Sequence, residues 1–348
     1  MLLHMIRLTL YHYTTYHLLI QYSLRKYYKS RTNIQIVYTF LTVGYAINLL
    51  CNFVPIIILI HINKRACLNK KYIYHLTDLG GNYIIMDKKL VLKKDIISAF
   101  YELGVEKGQT IEVHTSLSSL GFVCGGAQIV IEALIESVGE EGTIMMPTQT
   151  WKNLDPTTGV HWEEPEEWWQ IIRDNWPAYD KDITPTNTMG VVAEMFRKWP
   201  GTMRSDHPAR SVAAWGKHAE YITCNHDISN IFGEESPIGK LYELDGYVML
   251  IGTGYDKNTS IHLADVRAKY PGKHNCIEHS AVMENGERVW KAYETLFVDG
   301  EDFEQIGEAF EAVYPVKKVT LGNAIVRFMK QRDIVDFAVE WIEKNRKG

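Results

Sequence analysis

The stretch GQTIEVHTSLSSLGFVCGGAQIVIEALIESVGEEGTIMMPTQT, residues 108–150, decides the fold. TIEVHT is a short run rich in β-branched residues, which predicts a strand that ends in a serine-rich turn. Apolar residues at helical spacing then predict a helix over about residues 127–138, and TIMMP predicts the next strand. Strands that alternate with helices indicate an α/β layered domain.

The same pattern continues on both sides of this stretch. Apolar residues from Leu92 to Leu103 recur at helical spacing, and Gly104 is placed to end that helix. Downstream, MGVVAEMFRKW (189–199) predicts a helix and DGYVMLIGTGY (245–255) predicts a buried strand. ERVWKAYETLFVDG (287–300) predicts a strand that pairs locally. Two amphipathic helices are predicted at the end of the chain, over EDFEQIGEAFEAVY (301–314) and DIVDFAVEWIEKN (333–345). We therefore predict one domain over residues 86–348.

Composition excludes several protein classes. The chain has 348 residues, 46% of them hydrophobic, which is enough for a sizeable core and excludes a disulfide miniprotein, a collagen and a disordered tail. Its five cysteines are widely spaced and odd in number, which argues against a disulfide framework or zinc ribbon and favours a reducing, cytoplasmic compartment.

Charge is distributed unevenly along the chain. Of 37 basic and 42 acidic side chains, nine basic and one acidic lie in residues 1–85, which leaves 28 basic and 41 acidic side chains, a net charge of −13, after residue 85. Such a field attracts cations and argues against nucleic acid as a partner, because phosphates require clustered Lys and Arg.

Residues 1–85 form an apolar, tyrosine-rich extension with two interpretations. Residues 36–62 are apolar over a length that could cross a bilayer, with basic residues on both sides, and would anchor the protein to a membrane. Alternatively, the extension is translated upstream sequence: 11 of the 20 tyrosines lie there, with many Ile, Asn and Lys residues, and Met86 opens an ordinary polar start. We favour the second interpretation.

Two segments carry candidate site chemistry in the first part of the domain. HTSLSSLG (114–121) places hydroxyls and backbone amides between a strand and a helix, which suits an anion but is also typical of a simple capping turn. RSDHPARS (204–211) holds His207 beside Asp206 and Ser211, a suitable setting for a general base or for a hydrogen-bonded loop histidine.

Two further segments follow. NIFGEESPIGKLYE (230–243) places Glu234 before Ser236-Pro237, a turn predicted to start a helix, so helix capping alone could explain its acids. LIGTGYDKNTSIHLADV (250–266) follows a buried strand and spaces His262 and Asp265 three residues apart at a predicted helix start. This pair could be an oriented polar pair or two metal ligands; with no third ligand at diagnostic spacing, we predict no metal.

Residues 151–176 gather five of the nine tryptophans among six acidic residues. Flat apolar faces beside carboxylates suit a ring-shaped cation such as an aminosugar. The same residues could equally form an insertion whose aromatic side chains pack against the domain.

Six motifs in order resemble the aminoglycoside 3-N-acetyltransferase family, which is distinct from the GNAT acetyltransferases. They are HTSLSSLG, GTIMMPT, TPTNTMGVVAEMFR, RSDHPARSVAAWGKHAEYI, FGEESPIGKLYEL and LIGTGYDKNTSIHLADVRAKYPGK, and the resemblance covers residues 88–340. It implies a layered α/β/α domain with a mixed sheet and transfer of acetyl from acetyl-CoA to the 3-amino group of a 2-deoxystreptamine aminoglycoside, which confers antibiotic resistance.

The resemblance also implies residue roles. His207 would be the general base, with Glu234 and Ser211 completing the catalytic set. Acetyl-CoA would contact Thr115, Ser116, Leu117, Ser118, Ser119 and Thr148, and the acceptor would contact Asn258, Thr259, His262 and Asp265. The family usually ends this last motif in Glu, so the shorter Asp265 changes the reach of the carboxylate. The alternatives are a related acetyltransferase with another amine or polyamine acceptor, and a membrane-tethered cation-binding protein without catalysis.

Overall fold

The computed structural model describes residues 75–77, 83–85, 88–158 and 161–347. Its strands are β1 (His75–Thr77), β2 (Tyr83–Ile85), β3 (Leu90–Val91), β4 (Thr110–Thr115), β5 (Phe122–Val123), β6 (Thr143–Pro147), β7 (Met203–Arg204), β8 (Val212–Gly216), β9 (Tyr247–Ile251), β10 (Asn275–Glu284), β11 (Glu287–Leu296), β12 (Lys317–Leu321) and β13 (Ala324–Lys330). Its α-helices are α1 (Lys93–Glu102), α2 (Gly126–Val138), α3 (Trp169–Asn175), α4 (Gly190–Phe196), α5 (Ala219–Thr223), α6 (Pro237–Glu243), α7 (His262–Arg267), α8 (Phe303–Val313) and α9 (Gln331–Asn345).

Seven strands form one mixed sheet in the order β12-β13-β9-β4-β6-β8-β7. Strand β4 pairs in parallel with both β9 and β6, and the other pairs in the sheet are antiparallel. Parallel neighbours end at the same edge of a sheet, so the residues that follow β4 and β9 are brought together.

Alternate residues of the central strands face two separate hydrophobic cores. Ile111 and Ile144 pack on one face with residues of α1, α2 and α4, while Met145 and Val248 pack on the other face with residues of α5 to α9. Helices on both faces of a mixed sheet give the predicted layered α/β/α architecture, which is confirmed.

The predicted helix boundaries follow from local sequence. Helix α1 is followed by Gly104 at φ +80°, a left-handed conformation that costs glycine little. The Oγ of Ser236 accepts a hydrogen bond from the Gly239 amide at 3.3 Å, so this serine caps α6 and Pro237 occupies the first helical turn as predicted.

The locally paired strand predicted over residues 287–300 is β11, and its partner β10 forms a ten-residue antiparallel ladder with it. Within residues 86–348, no counterpart in the sequence prediction exists for strands β3, β5, β7, β8, β10, β12 and β13. The apolar stretch at residues 36–62 lies outside the described residues. Among the helices that the structure does describe, none combines the length and the apolar character needed to cross a bilayer.

Candidate active site

A cleft of about 820 Å³ opens where β4 and β9 end. One wall is the end of β4 and the turn that follows it, from His114 to Ser118, and another is the segment after β9, from Thr253 to Thr259. Trp151 and the Thr188–Val192 segment close further sides. A polar cleft at the carboxyl ends of parallel strands is the usual ligand site of such a sheet.

His262 stands in the wall of this cleft with its ring held between two aromatic side chains. Its imidazole stacks on Phe232 with 4.4 Å between ring centroids and an interplanar angle of 7°, and Phe303 packs on it at 4.7 Å. The two contacts fix the plane of the imidazole, so only its rotation within that plane remains to be set.

Asp265 sets that rotation. Residues three apart on a helix share a face, and here the Nδ1 of His262 donates to Asp265 Oδ2 at 2.9 Å. A carboxylate only accepts, so this hydrogen bond places the imidazole proton on Nδ1 and a lone pair on Nε2. The pair has the orientation of a general base and its supporting acid.

A buried polar network lies beside the cleft at the end of β4. The carboxylate of Glu112 is fully buried; it accepts a hydrogen bond from the Ser260 hydroxyl, and His114 Nε2 lies 3.2 Å from its other oxygen. The amide of Gln331 donates to the Ser260 hydroxyl at 2.9 Å. This network joins β4, α9 and the turn that leads into α7.

The predicted acetyl-CoA turn is only partly exposed to the cleft. Thr115, Ser116, Leu117 and Ser118 line it. Ser119 has a different task, because its hydroxyl donates to the Ser116 carbonyl at 2.7 Å and lies 3.0 Å from the Gly252 carbonyl. It therefore fastens the turn to the end of β9.

Thr148 and Ser211 lie together away from the cleft surface. Both are completely buried, and the Ser211 hydroxyl donates to the Thr148 carbonyl at 2.8 Å. The guanidinium of Arg204 donates to Ser211 Oγ at 3.1 Å and to the Thr148 carbonyl at 2.7 Å. The geometry gives these two residues a structural role and does not support the predicted contacts with acetyl-CoA or with the reacting atoms.

His207 is not placed to act as a base. It is completely buried, and its Nδ1 accepts hydrogen bonds from the backbone amides of Ala209 and Arg210 at 3.1 and 3.0 Å. Burial lowers its pKa well below the ordinary value for histidine. The neighbouring Asp206 points outward to Lys181. The structure thus places His207 in the core and not in the cleft, which does not support the predicted role of general base.

Glu234 also lies outside the cleft. Its exposed carboxylate makes two hydrogen bonds of 2.8 Å with Arg267, which lower its pKa. This surface ion pair gives no support to a catalytic role for Glu234.

The predicted acceptor residues do come together. Asn258, Thr259 and His262 line the cleft, and Asp265 lies buried directly behind His262. Asn258 Oδ1 accepts from the Ser260 amide at 3.2 Å, whereas its Nδ2 is buried without a hydrogen-bond partner in the described residues. The interpretation of His262 and Asp265 as metal ligands has no support here, since no cluster of three His, Cys, Asp or Glu suited to a metal occurs in the described part of the chain.

The tryptophan-rich segment, residues 151–176, contains some side chains that line the cleft and others that pack against the domain. Trp151 and His161 line the cleft, with their rings 6.1 Å apart. Trp162 instead packs against Trp176 at 5.1 Å and donates its indole N–H to the Leu154 carbonyl. Part of the segment is therefore available to a ligand and part is packing.

Sequence reasoning missed several residues of the site. His114 was within a quoted motif but had no assigned role. Phe232 and Phe303 clamp His262 from distant parts of the chain, and Arg346 contacts Asp265 from beyond α9. No spacing in the sequence indicates these long-range contacts.

The chain is similar in sequence to proteins of one known family. Residues 113–343 match the family described as aminoglycoside 3-N-acetyltransferase. An SPbeta prophage-derived aminoglycoside N(3')-acetyltransferase-like protein, YokD of Bacillus subtilis (strain 168), is 43% identical over 254 residues, covering 73% of this chain and 93% of the relative. Aminoglycoside N(3)-acetyltransferase VII of Streptomyces paromomycinus is 34% identical, covering 70% and 88% of the two chains.

Solved structures agree with the sequence matches. The crystal structure of YokD superposes with a TM-score of 0.69, covering 73% of this chain and 93% of that one. The structure of AAC-IIIb in binary complex with CoASH is 27% identical, with a TM-score of 0.66 and coverage of 74% and 98%.

Proposed function

This chain belongs to the aminoglycoside 3-N-acetyltransferase family, and we propose that it performs the family's reaction with His262, not His207, as the general base. The enzyme transfers the acetyl group of acetyl-CoA to the 3-amino group of an aminoglycoside. The observation that carries the assignment of the base is the His262–Asp265 pair in the wall of the cleft.

The donors in the cleft suit acetyl-CoA. The hydroxyls of Thr115, Ser116 and Ser118 line one wall and can donate to the anionic and amide oxygens of the cosubstrate. The amide Nδ2 of Asn258 is buried in the cleft wall and lacks a partner among the described residues, so an oxygen brought by a ligand would satisfy it. These residues are the proposed contacts.

When bound, acetyl-CoA supplies an acetyl thioester that a neutral amine can attack. An aminoglycoside amine is largely protonated near neutral pH, so a proton must leave the nitrogen before or during attack. In this proposal, Nε2 of His262 takes that proton, and a positioned base of this kind contributes about a hundred- to ten-thousand-fold in rate. Asp265 keeps the Nδ1 proton in place and stabilises the resulting imidazolium. As the C–N bond forms, the C–S bond of the thioester breaks, and the imidazolium can return its proton to the departing sulfur, so that CoA leaves as the free thiol.

Two features favour a cationic acceptor. Asp256 lies in the cleft wall, where it pairs with Lys257 at 2.9 Å, and the exposed carboxylates of Glu163 and Glu166 belong to the segment that carries Trp151 and His161 into the cleft. The net charge of −13 after residue 85 adds a long-range attraction. A ring-bearing polycation would meet both aromatic and acidic surfaces there.

Acetyl transfer is tested with the full chain, acetyl-CoA and a panel of aminoglycosides, by measuring release of free thiol and locating the acetyl group by NMR. The matched control is an aminoglycoside that already carries an acetyl group on its 3-amino nitrogen. We expect thiol release with unmodified compounds and none with the blocked one. Thiol release with simple polyamines alone would identify a non-antibiotic acceptor, and binding without any release would favour the cation-binding alternative.

A further inference from the structure

Arg346 follows helix α9 and contacts the acid that supports the proposed base. Its NH1 lies 2.5 Å from Asp265 Oδ1, on the side of the carboxylate opposite His262. Its Nε and NH2 each lie 2.7 Å from an oxygen of Asp302, just before α8. The guanidinium also lies 5.0 Å from the centre of the Tyr270 ring. Three elements therefore hold this side chain in one position.

The carboxylate of Asp265 depends on these contacts. It is completely buried, so an ionised form requires partners that replace water. Oδ2 accepts from the Nδ1 of His262 and Oδ1 accepts from Arg346, so each oxygen has a partner. Without the guanidinium, Oδ1 would lose its partner and the carboxylate would be free to rotate, which weakens its hold on the imidazole.

We propose that Arg346 is a positioning residue for acetyl transfer, which holds Asp265 in the orientation that keeps the Nε2 lone pair of His262 turned toward the acceptor amine. This inference rests on the proposed function of the His262–Asp265 pair. Arg346 acts only through Asp265 and touches no substrate. The chain of contacts runs from Asp302 through Arg346 and Asp265 to His262.

The test compares Arg346→Gln and Arg346→Lys with Lys347→Gln, an exposed neighbour that serves as the matched control. We expect kcat to fall about tenfold in R346Q, since a small misplacement of a base costs one to two orders of magnitude in rate. R346K should recover most of this loss, and K347Q should leave kcat unchanged. The KM for acetyl-CoA should stay within about twofold in all three, because Arg346 makes no contact with the cleft.

The tautomer of His262 separates positioning from a general structural effect. NMR of ¹⁵N-histidine-labelled protein without substrates should show His262 as the Nδ1–H tautomer in the wild type and R346K, and as a mixture of tautomers in R346Q.

Folded R346Q with wild-type kcat and tautomer would overturn the proposal. Should R346Q fail to fold, Asp302→Asn, which removes the carboxylate that holds Arg346, takes its place, and an unchanged kcat and tautomer in that variant would overturn the proposal equally. The NMR result does not depend on turnover. If the wild type acetylates no aminoglycoside but R346Q still shifts the tautomer, the proposed function fails and the positioning contact stands.

Discussion

The imidazole rings of His207 and His226 lie 4.8 Å apart in the core, and both side chains are buried. His226 donates from Nε2 to the Ile231 carbonyl at 3.0 Å, and its Nδ1 lies 3.0 Å from the Ser205 hydroxyl. Protonation of either ring would bury a charge, and protonation of both would also place two like charges side by side. Burial lowers the pKa of both histidines, that of His226 to about 4.

Stability should therefore fall as the medium becomes acidic. A histidine with an ordinary pKa near 6.5 when unfolded binds more protons in the unfolded state than in this core, so the free energy of unfolding is highest above about pH 6.5. It should decrease as pH falls from there toward about 4, with His226 contributing at most about 3 kcal/mol. Urea unfolding at pH 7 and pH 5 measures this difference.

His226→Gln provides the comparison for that experiment, with the exposed His274→Gln as its control. H226Q should be less stable at pH 7 and show a smaller difference between the two pH values, whereas H274Q should follow the wild type. An equally steep pH dependence in H226Q would show that this histidine does not contribute to it.

The two candidate bases should respond to substitution in opposite ways. His262→Ala removes the proposed proton acceptor, so kcat should fall about a hundredfold or more in a variant that is still folded at the assay temperature. His207→Asn keeps an acceptor near the amides of Ala209 and Arg210; it should lower the thermal midpoint but leave kcat within about threefold. Steady-state kinetics and thermal unfolding of both variants decide between the histidines, and a large loss of kcat in folded H207N would restore the role predicted from its motif.

The two histidine motifs show what the sequence alone can predict about the site. RSDHPARS and NTSIHLAD each place a histidine near an aspartate, and local chemistry does not distinguish them. The difference lies in tertiary packing: the ring of Tyr293, 86 positions away, meets His207 at 6.3 Å and helps to close the core around it. His262 lies in the cleft at the carboxyl ends of the parallel strands β4 and β9, and this position depends on the strand order.

The fold was more predictable than the site because its determinants are local. The pattern of apolar residues over 108–150 predicts β4, α2 and β6, whose apolar residues belong to the core. Strands β12 and β13 escaped prediction because Lys317, Lys318 and Arg327 interrupt the apolar pattern; β12 is the edge strand of the sheet, where such charges are expected, and β13 is its neighbour. The Arg346–Asp265 contact joins residues 81 positions apart and has no local determinant.

A buried ion pair should carry a large share of the stability of the β10–β11 hairpin. Arg210 donates to both oxygens of Glu278 in β10, at 2.7 and 2.6 Å, and its guanidinium lies 5.1 Å from the centre of the Trp151 ring. Glu278→Gln leaves a buried cation without its counterion, so the free energy of unfolding should fall by about 3 kcal/mol or more. Urea denaturation at neutral pH measures it.

An exposed pair supplies the control for this prediction. Lys217 and Glu141 lie 2.7 Å apart at the surface, where solvent screens the pair, so Glu141→Gln should leave the free energy of unfolding close to that of the wild type. Adding Arg210→Met to E278Q should recover part of the lost stability, because the unpaired charge is then removed. Additive losses in the double variant would show that the two side chains do not interact energetically.

The last prediction concerns the acidic surface and the cationic acceptor. Raising salt from about 20 to about 500 mM shortens the range of electrostatic attraction, so the KM for the aminoglycoside should rise about three- to tenfold. The KM for acetyl-CoA should not rise, because an anion is repelled by the same field. Glu163→Gln/Glu166→Gln should flatten the salt dependence more than Glu102→Gln/Glu106→Gln, which removes equal charge from exposed positions at and beyond α1. A KM for the aminoglycoside that is independent of salt would mean that contacts within the cleft alone, and not the charge of the domain, select the acceptor.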